Sequence, residues 1–205
     1  MNDEESNPGI FCFEFYRWLR YNIFMKKWFS LLFILTAAVL LSGCGYGQPS
    51  LSGKKLVFET TDIDGNPVSS EELFARHEIT MLNLWAAWCG PCVGELSELN
   101  EVNDRLEQMD GAVVGLLNDD RNQENMDTVR RLLDENDVRY LNILAPANMN
   151  EIIVQNSFPM TVFVDRDGVV VGRTLVGTTS KKYIVDYYLS AATEALEALK
   201  SEKQE

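Results

Sequence analysis

The sequence predicts an α/β fold in which a central mixed sheet has helices on both faces. Two apolar runs, Ile79–Ala87 and Ala112–Asn118, have the length of buried strands, and each precedes a segment with helical spacing. Near the end of the chain, Asp167-Gly168 joins two further strand-like runs and is typical of a hairpin turn. Because helix-linked strands come first and a hairpin comes last, we expect parallel strands followed by an antiparallel pair.

The first half of the predicted domain begins with a strand and a turn at Asp64-Gly65-Asn66. A Ser-x-x-Glu pattern near Ser69 or Ser70 predicts the start of a helix. After the first apolar run, a helix is predicted from Cys92 to Met109, because leucine and valine recur there at helical spacing. An N-terminal β-hairpin therefore precedes the first buried strand.

The second half continues after the second apolar run with an amphipathic helix over Glu124–Asp137 and a short strand over Tyr140–Leu144. A small helix is predicted over 148–155, and a long helix over Ser180–Lys200. The sequence shows no internal repeats. These elements predict one domain over residues 56–200, with an extra β-α unit after Ala112.

The N-terminal region resembles a secretory signal. Met25 and two lysines form a basic head, and the apolar run Trp28–Leu41 follows it. The run is short for a membrane span, and Ser42 and Gly43 close it before Cys44. Leu-Ser-Gly-Cys resembles a bacterial lipobox, which implies cleavage before Cys44 and acylation of its thiol. An uncleaved signal anchor is the alternative, and both place the domain outside the cytoplasm.

These features divide the chain into four predicted parts. Residues 1–24 precede a complete signal that has its own methionine, so we expect them to be an upstream over-extension. Residues 25–43 are predicted as a lipoprotein signal peptide. Residues 44–55, rich in glycine and serine, are predicted as a lipidated tether before the domain of residues 56–200.

Composition excludes several classes of function. The net charge of −13 would repel nucleic acid. The chain has four cysteines and one histidine, His77, which is a poor set for a disulfide scaffold or a zinc protein. The hydrophobic fraction of 46% is ample for a packed core. We therefore expect a folded domain that binds no metal.

Cys89 and Cys92 lie two residues apart where the first buried strand gives way to a helix. A helix N-terminus lowers the pKa of a thiol, and the thiolate is the nucleophile. Cys89 is the expected attacker, and Cys92, one turn on, is the expected resolving cysteine. Gly90 permits the tight turn, and Pro91 falls where a missing N–H costs nothing.

Three other uses of this pair fit less well. Zinc needs four ligands, and the sequence has no second Cys-x-x-Cys. A c-type haem needs histidine directly after the second cysteine, where Val93 stands. A structural disulfide would close a very small loop, where the entropic stabilisation is least. The spacing therefore favours a redox-active pair.

"WCGPC" at Trp88–Cys92, preceded by "NLWAA", resembles the active-site motif of the thioredoxin superfamily. The lipobox, the "DIDGNPV" hairpin and the extra β-α unit resemble its TlpA/ResA-like branch. The resemblance covers about residues 56–199 and implies a thioredoxin-like fold. Members of this branch are membrane-tethered thiol-disulfide oxidoreductases.

The resemblance also implies a substrate-binding face. "SFPMTVFVDRDG" matches the segment in which a cis-proline faces the cysteine pair, at Pro159, with the backbone of Phe158 open to a substrate strand. An ordinary trans proline is the alternative. Trp88 is expected to cover Cys89 and shape the docking face. The expected substrate-binding residues are Trp88, Gly90, Pro91, Phe158 and Pro159.

A third implied role is proton transfer. Glu95 matches a glutamate that the branch places near the cysteines, although Leu96-Ser97 departs from the proline or bulky residue that often follows it. Thioredoxin has a buried aspartate where this chain has Asn83, and asparagine cannot accept a proton. The resemblance therefore assigns that role to Glu95. The alternative is a solvated glutamate on a helix surface.

The function implied is a disulfide reductase with no cofactor beyond its own Cys89/Cys92 disulfide. Its expected partners are disulfide-containing exported proteins and a membrane electron donor of the CcdA/DsbD type. We expect a monomer, lipid-anchored through Cys44 on the outer face of a bacterial cytoplasmic membrane. The alternatives are a peroxidase of the peroxiredoxin class, whose Pro-x-x-x-Thr-x-x-Cys pattern is absent, and a lipoprotein binding module with a non-catalytic cysteine pair.

Overall fold

A computed structural model describes residues 51–149, 153 and 157–202 of the chain. The described residues belong to one compact unit, Gln48–Glu205. The predicted over-extension, signal peptide and Cys44 lie outside them, as does most of the small helix predicted over 148–155. Within the described ranges, no helix combines the length and apolar character that crossing a bilayer requires.

A five-stranded mixed sheet forms the centre of the domain, and a separate two-stranded hairpin precedes it. The hairpin strands are β1 (Glu59–Thr61) and β2 (Pro67–Ser69). The main sheet consists of β3 (Ile79–Trp85), β4 (Gly111–Leu117), β5 (Leu141–Leu144), β6 (Met160–Asp165) and β7 (Val170–Val176). Their order across the sheet is β5-β4-β3-β6-β7. Strands β3, β4 and β5 are parallel, whereas β6 and β7 run antiparallel, which confirms the predicted mixed sheet.

Five helices and one 3₁₀ turn complete the described domain. They are α1 (Ser70–Phe74), α2 (Gly90–Val93), α3 (Glu98–Glu107), α4 (Gln123–Glu135), the 3₁₀ turn (Lys181–Tyr183) and α5 (Ile184–Glu202). Apolar side chains of α3, α4 and α5 pack on the sheet face that carries Met81 and Trp85. The opposite face, with Leu82 and Leu84, packs against α1 and the segment around Phe58. The prediction of helices on both faces is confirmed.

Strand β3 lies in the middle of the sheet, and all seven of its residues are buried. Its register places Asn83 beside Gly115 of β4 and Thr161 of β6. A polar side chain at the centre of a sheet needs hydrogen-bond partners, because an unpaired one costs free energy. The register therefore brings Asn83 and Thr161 together on the strand that leads to Cys89.

The N-terminal hairpin is confirmed, and its turn is organised by Asp62. The Asp62 carboxylate accepts hydrogen bonds from the backbone N–H of Asp64, at 2.9 Å, and of Asn66, at 2.8 Å. The Asn66 side-chain amide donates a third bond at 2.7 Å, and this contact leads the interactions that lower the pKa of Asp62. Gly65 has φ of +90°, a conformation that glycine adopts without strain. Thr60 anchors the hairpin to the main sheet by donating to the Leu144 carbonyl.

The helix after the cysteines differs from the prediction of one helix over Cys92–Met109. It is divided into α2 and α3 by a turn at residues 94–97, in which the Glu95 N–H donates to the Cys92 carbonyl and the Leu96 N–H to the Val93 carbonyl. Gly94, which has low helix propensity, begins this turn. These hydrogen bonds span three residues instead of the four of an α-helix, and both Glu95 and Leu96 are completely buried in the turn.

Candidate active site

Cys89 and Cys92 form a disulfide bond just beyond the carboxyl end of β3. Cys89 is the N-cap of α2, and the Cys92 N–H donates to Cys89 Sγ at 3.3 Å. Pro91 stands in the first turn of the helix, where no donor is needed. Cys89 is 6% exposed and Cys92 is 0% exposed, so the outer sulfur is the one within reach of another molecule.

Two aromatic side chains form a rim beside the disulfide. Trp88 is 68% exposed, and its ring meets that of Phe158 edge to face, with 5.5 Å between the centroids. Phe158 also packs against the apolar cluster that contains both cysteines. The Phe158–Pro159 peptide bond is cis, as the resemblance implied, and the trans alternative is wrong. The structure thus brings all five predicted substrate-binding residues to one end of the sheet.

The Glu95 side chain lies in the core and is 0% exposed, so the alternative of a solvated helix-surface glutamate is wrong. Its Oε1 accepts a bond from Asn83 Nδ2 at 3.1 Å, and its Oε2 accepts one from the Tyr188 hydroxyl at 3.0 Å. Thr178 also acts on this carboxyl. Burial raises the pKa of Glu95, and Thr178, Asn83 and Tyr188 oppose that rise.

Asn83 donates rather than accepts in this site. Its amide nitrogen bonds both to Glu95 and to Thr161 Oγ1, each at 3.1 Å. An amide supplies two N–H donors, and here one reaches the carboxylate and the other a hydroxyl. Asn83 is a neutral amide, so Glu95 is the one carboxyl in the network that these side chains form.

Sequence reasoning missed three members of this network: Thr161, Thr178 and Tyr188. Thr178 is an exposed residue in the loop that follows β7. Tyr188 is 0% exposed and lies on the buried face of α5. A tyrosine in an otherwise apolar helix stripe signals a buried hydroxyl that needs a partner. Nothing in the spacing of the sequence identifies that partner as Glu95.

The loop that carries Trp88 is held by a residue from β4's carboxyl end. Asp119 Oδ2 accepts a bond from the Ala87 N–H at 2.9 Å. A groove opens next to Trp88, lined in part by Asn118, Asp119 and Asp120. His77, the histidine counted above, is half-buried at the opposite end of β3, with its Nδ1 3.7 Å from Asp110. Among the residues that the structure describes, no three histidine, cysteine or acidic side chains are grouped as a metal site.

The sequence matches a known protein family over the residues that form this site. The AhpC/TSA family matches residues 53–187, which include both cysteines, Glu95 and the cis-proline segment. The chain belongs to the AhpC/TSA family. Its predicted identification as a thioredoxin-like protein of the ResA type is thereby supported at the level of the family.

Two relatives carry names of the predicted class. Thioredoxin-like protein YneN of Bacillus subtilis is 24% identical over 168 residues, which cover 77% of this chain and 94% of the relative. Thiol-disulfide oxidoreductase ResA of Bacillus cereus is 25% identical over 133 residues, which cover 63% of this chain and 72% of the relative. The predicted class, an oxidoreductase of the thioredoxin-like type, is confirmed.

Solved structures share the fold. A candidate thiol:disulfide interchange protein DsbE from Chlorobium tepidum superposes with a TM-score of 0.58 at 19% identity, over 71% of this chain and 97% of that one. StoA from Bacillus subtilis superposes with a TM-score of 0.52 at 18% identity, over 66% and 98% of the two chains. At such identities the likeness concerns the fold, and it confirms the predicted thioredoxin-like architecture.

Proposed function

We propose that this protein is an extracytoplasmic thiol-disulfide oxidoreductase that reduces disulfide bonds in exported proteins through Cys89 and Cys92. The observation that carries this proposal is a fully buried carboxyl, Glu95, three residues from a disulfide whose inner sulfur is shielded from solvent. A purely structural crosslink requires no proton acceptor in the core, whereas a shielded thiol that must ionise does. The combination therefore favours exchange chemistry over a binding module with a non-catalytic pair.

The reaction begins with the reduced pair. The Cys89 thiolate attacks one sulfur of the substrate disulfide and forms a mixed disulfide, while the other substrate sulfur leaves as a thiolate and takes a proton from solvent. Cys92 then gives its proton to the Glu95 carboxylate and attacks Cys89 Sγ. The Cys89–Cys92 disulfide forms, and the second substrate sulfur leaves as a thiolate that Glu95 protonates directly or through solvent. The substrate gains two electrons and two protons.

The assignment of the two cysteines follows from their surroundings. Cys89 is the more exposed sulfur, and the N–H of Cys92 points at it from the first turn of α2. A donor at that position stabilises negative charge on Cys89 Sγ, which favours the thiolate and makes Cys89 the attacking group. Cys92 is buried in the apolar cluster that contains Trp85, Leu96 and Val129, so its sulfur reaches Cys89 Sγ and not a free substrate disulfide.

The aromatic rim supports a docking role for the surrounding residues. An exposed tryptophan beside a half-buried phenylalanine gives a substrate segment an apolar surface next to Cys89. In this proposal the segment lies against Trp88 and Phe158, with Gly90, Pro91 and Pro159 shaping the backbone around it. The groove beyond Trp88 leaves room for residues that flank the substrate cysteine.

The direction of electron flow and the location rest on sequence features. Gly90-Pro91 between the cysteines resembles the motif of thioredoxin, a reductant, more than the Pro-His of the DsbA type. Each cycle leaves Cys89 and Cys92 oxidised, so a two-electron donor must reduce them again, and we propose a membrane donor of the CcdA/DsbD type. The signal-like segment and Cys44 support anchoring on the outer face of the membrane.

Stoichiometric reduction of insulin by the pre-reduced protein tests the proposed function. We expect one Cys89–Cys92 disulfide to form for each insulin disulfide lost, and Cys89→Ser to abolish the reaction. A matched pair of variants, Trp88→Ala and the exposed Val57→Ala, separates docking from general surface effects. Trp88→Ala should slow the reaction and Val57→Ala should not. A pre-reduced wild type that leaves insulin intact would contradict the reductase and favour the binding module.

A further inference from the structure

The C-terminal helix contributes one polar contact to the redox site. Tyr188 lies one turn inside α5, is 0% exposed, and points its hydroxyl at Glu95 Oε2 across 3.0 Å. Its ring packs among apolar side chains of α5 and the sheet, and meets the ring of Tyr187 with 5.2 Å between the centroids. The ring is therefore fixed by packing, and the hydroxyl has a defined position relative to the carboxyl.

The bond from Tyr188 to Glu95 has a charged acceptor. Asn83 donates to one oxygen of the Glu95 carboxyl and to Thr161, and the Tyr188 hydroxyl donates to the other carboxyl oxygen. A donor to an ionised group is worth more than a donor to a neutral one, so the Tyr188 bond favours the carboxylate.

We propose that Tyr188 is a positioning residue that keeps the buried Glu95 carboxyl ionisable, and that it thereby couples the C-terminal helix to the exchange step. The inference rests on the proposed function, in which the Glu95 carboxylate accepts the proton of Cys92. Without the Tyr188 hydroxyl, one carboxylate oxygen would lose its donor in an environment that water does not reach. The carboxylic acid would then be favoured, and the base would be absent at pH values where it is now present.

Other groups around Glu95 act in both directions. Asn83 from β3 donates to the carboxyl, and both Asn83 and Thr178, from the loop before α5, favour its ionised form. Glu98, which follows on the same segment, opposes ionisation by its charge, although Lys181 Nζ pairs with it at 2.7 Å. Tyr140, before β5, is buried, and burial and then the charge of Glu95 raise the pKa of its phenol, so it stays neutral.

Titration of the Glu95 carboxyl by ¹³C NMR in the disulfide form tests the inference without requiring activity. In Tyr188→Phe, the ratio of carboxylate to carboxylic acid at a given pH should fall about tenfold, because one bond to a charged group is lost. Tyr187→Phe is the matched control, since it removes the adjacent hydroxyl, and it should titrate like the wild type. The pH profile of single-turnover insulin reduction should shift to higher pH by about one unit, which corresponds to the tenfold change, in Tyr188→Phe alone.

A second pair of variants keeps the test independent of the folding of Tyr188→Phe. Thr161→Val removes a hydroxyl that accepts from Asn83 and acts on Tyr188, and it should lower the carboxylate ratio, whereas Thr161→Ser retains the hydroxyl and should leave the ratio at the wild-type value. An unchanged Glu95 titration in Tyr188→Phe, or an equal shift in Tyr187→Phe, would overturn the inference. A shifted titration with an unaltered pH profile of exchange would overturn the proton-acceptor role of Glu95, and with it the coupling.

Discussion

The Glu95 carboxyl shows how a single residue acquires its chemistry from its surroundings. On an exposed helix it would be an ordinary acid, but here the side chain is buried, and Asn83 and Tyr188 donate hydrogen bonds to its carboxyl. Burial favours the neutral acid, and the donors favour the carboxylate. In the proposed mechanism, this balance lets the group accept a proton from Cys92 and release it again.

The raised pKa of Glu95 predicts a pH dependence of stability that Glu95→Gln should remove. Burial raises the pKa in the folded state above the ordinary value of 4.5, so the folded protein binds more protons than the unfolded chain between the two values. The contribution of Glu95 to stability is therefore fully present below pH 4.5 and declines as pH rises through the folded pKa. The free energy of unfolding of Glu95→Gln, minus that of the wild type, should increase with pH across this window.

Urea denaturation of the disulfide forms over a range of pH measures this difference. Glu101→Gln is the control, because Glu101 is an exposed side chain on the neighbouring α3. Its difference from the wild type should lack the rise expected for Glu95→Gln. A difference for Glu95→Gln that stays constant, or that declines with pH, would show that the pKa of Glu95 is not raised.

A hydrogen bond between side chains of β3 and β5 passes over the backbone of β4 near the redox site. Trp85 Nε1, at the end of β3, donates to Asn142 Oδ1 of β5 at 3.0 Å, across the intervening strand β4. The contact requires glycine at position 115, because a Cβ atom there would lie 2.0 Å from Asn142 Oδ1. The buried Trp85 N–H and the buried Asn142 amide oxygen thus both have a hydrogen-bond partner at the end of β3, next to the loop that leads to Cys89.

Gly115→Ala should destabilise the domain by about 1–3 kcal/mol, because the new methyl group displaces Asn142 and breaks its bond to Trp85. Chemical denaturation measures the loss. In an Asn142→Ala background the same substitution should cost markedly less, since the clashing side chain is gone. Gly90→Ala is the control for stability, because its Cβ would meet nothing within 4 Å. Equal costs in both backgrounds would contradict the proposed clash.

Much of the element pattern was predictable because burial leaves a strong trace in sequence. The apolar run before the cysteines forms β3, which is buried at every residue. The predicted turn at Asp167-Gly168 connects β6 and β7. The Asp64-Gly65-Asn66 turn also formed as predicted. The break after Cys92 was not predicted, because apolar spacing continues through Gly94 and hides the change from helix to turn.

The cysteines, Glu95 and Pro159 were predicted as site residues from local sequence and resemblance, but the side chains that surround Glu95 were not predicted. Thr161 and Tyr188 lie far along the chain from Glu95, and only the sheet register and the packing of α5 bring them to it. Sequence spacing reports which residues share a face of one element. It does not report which side chains from separate elements meet, so the hydrogen-bond network had to come from the structure.

For the whole molecule, the described domain places its chemistry at one end of the sheet. The disulfide, Trp88 and Phe158 lie at the carboxyl end of β3, while His77 and Asp110 lie at the opposite end. The described chain begins at that opposite end, because Leu51 is buried and Lys55 pairs with Val169 beside the turn between β6 and β7. The disulfide end of the sheet is therefore separate from the end at which the described chain begins.

Acylation of Cys44 is the prediction that tests the proposed membrane location. Metabolic labelling with a fatty-acid probe in a bacterial host should mark the wild-type protein and should fail with Cys44→Ala. Cys12→Ala is the matched control and should be labelled like the wild type, because Cys12 precedes the predicted signal. Absence of label in the wild type, or equal label in Cys44→Ala, would contradict the lipoprotein proposal.

Trapping of the mixed disulfide tests the central claim, that Cys89 attacks a substrate disulfide and Cys92 resolves the product. Cys92→Ser, reduced and then mixed with a disulfide-bonded peptide, should accumulate a covalent adduct that mass spectrometry locates at Cys89. Cys89→Ser should form little adduct, because the remaining thiol of Cys92 is shielded from solvent. Absence of an adduct in Cys92→Ser, or an equal yield at Cys92 in Cys89→Ser, would contradict the account.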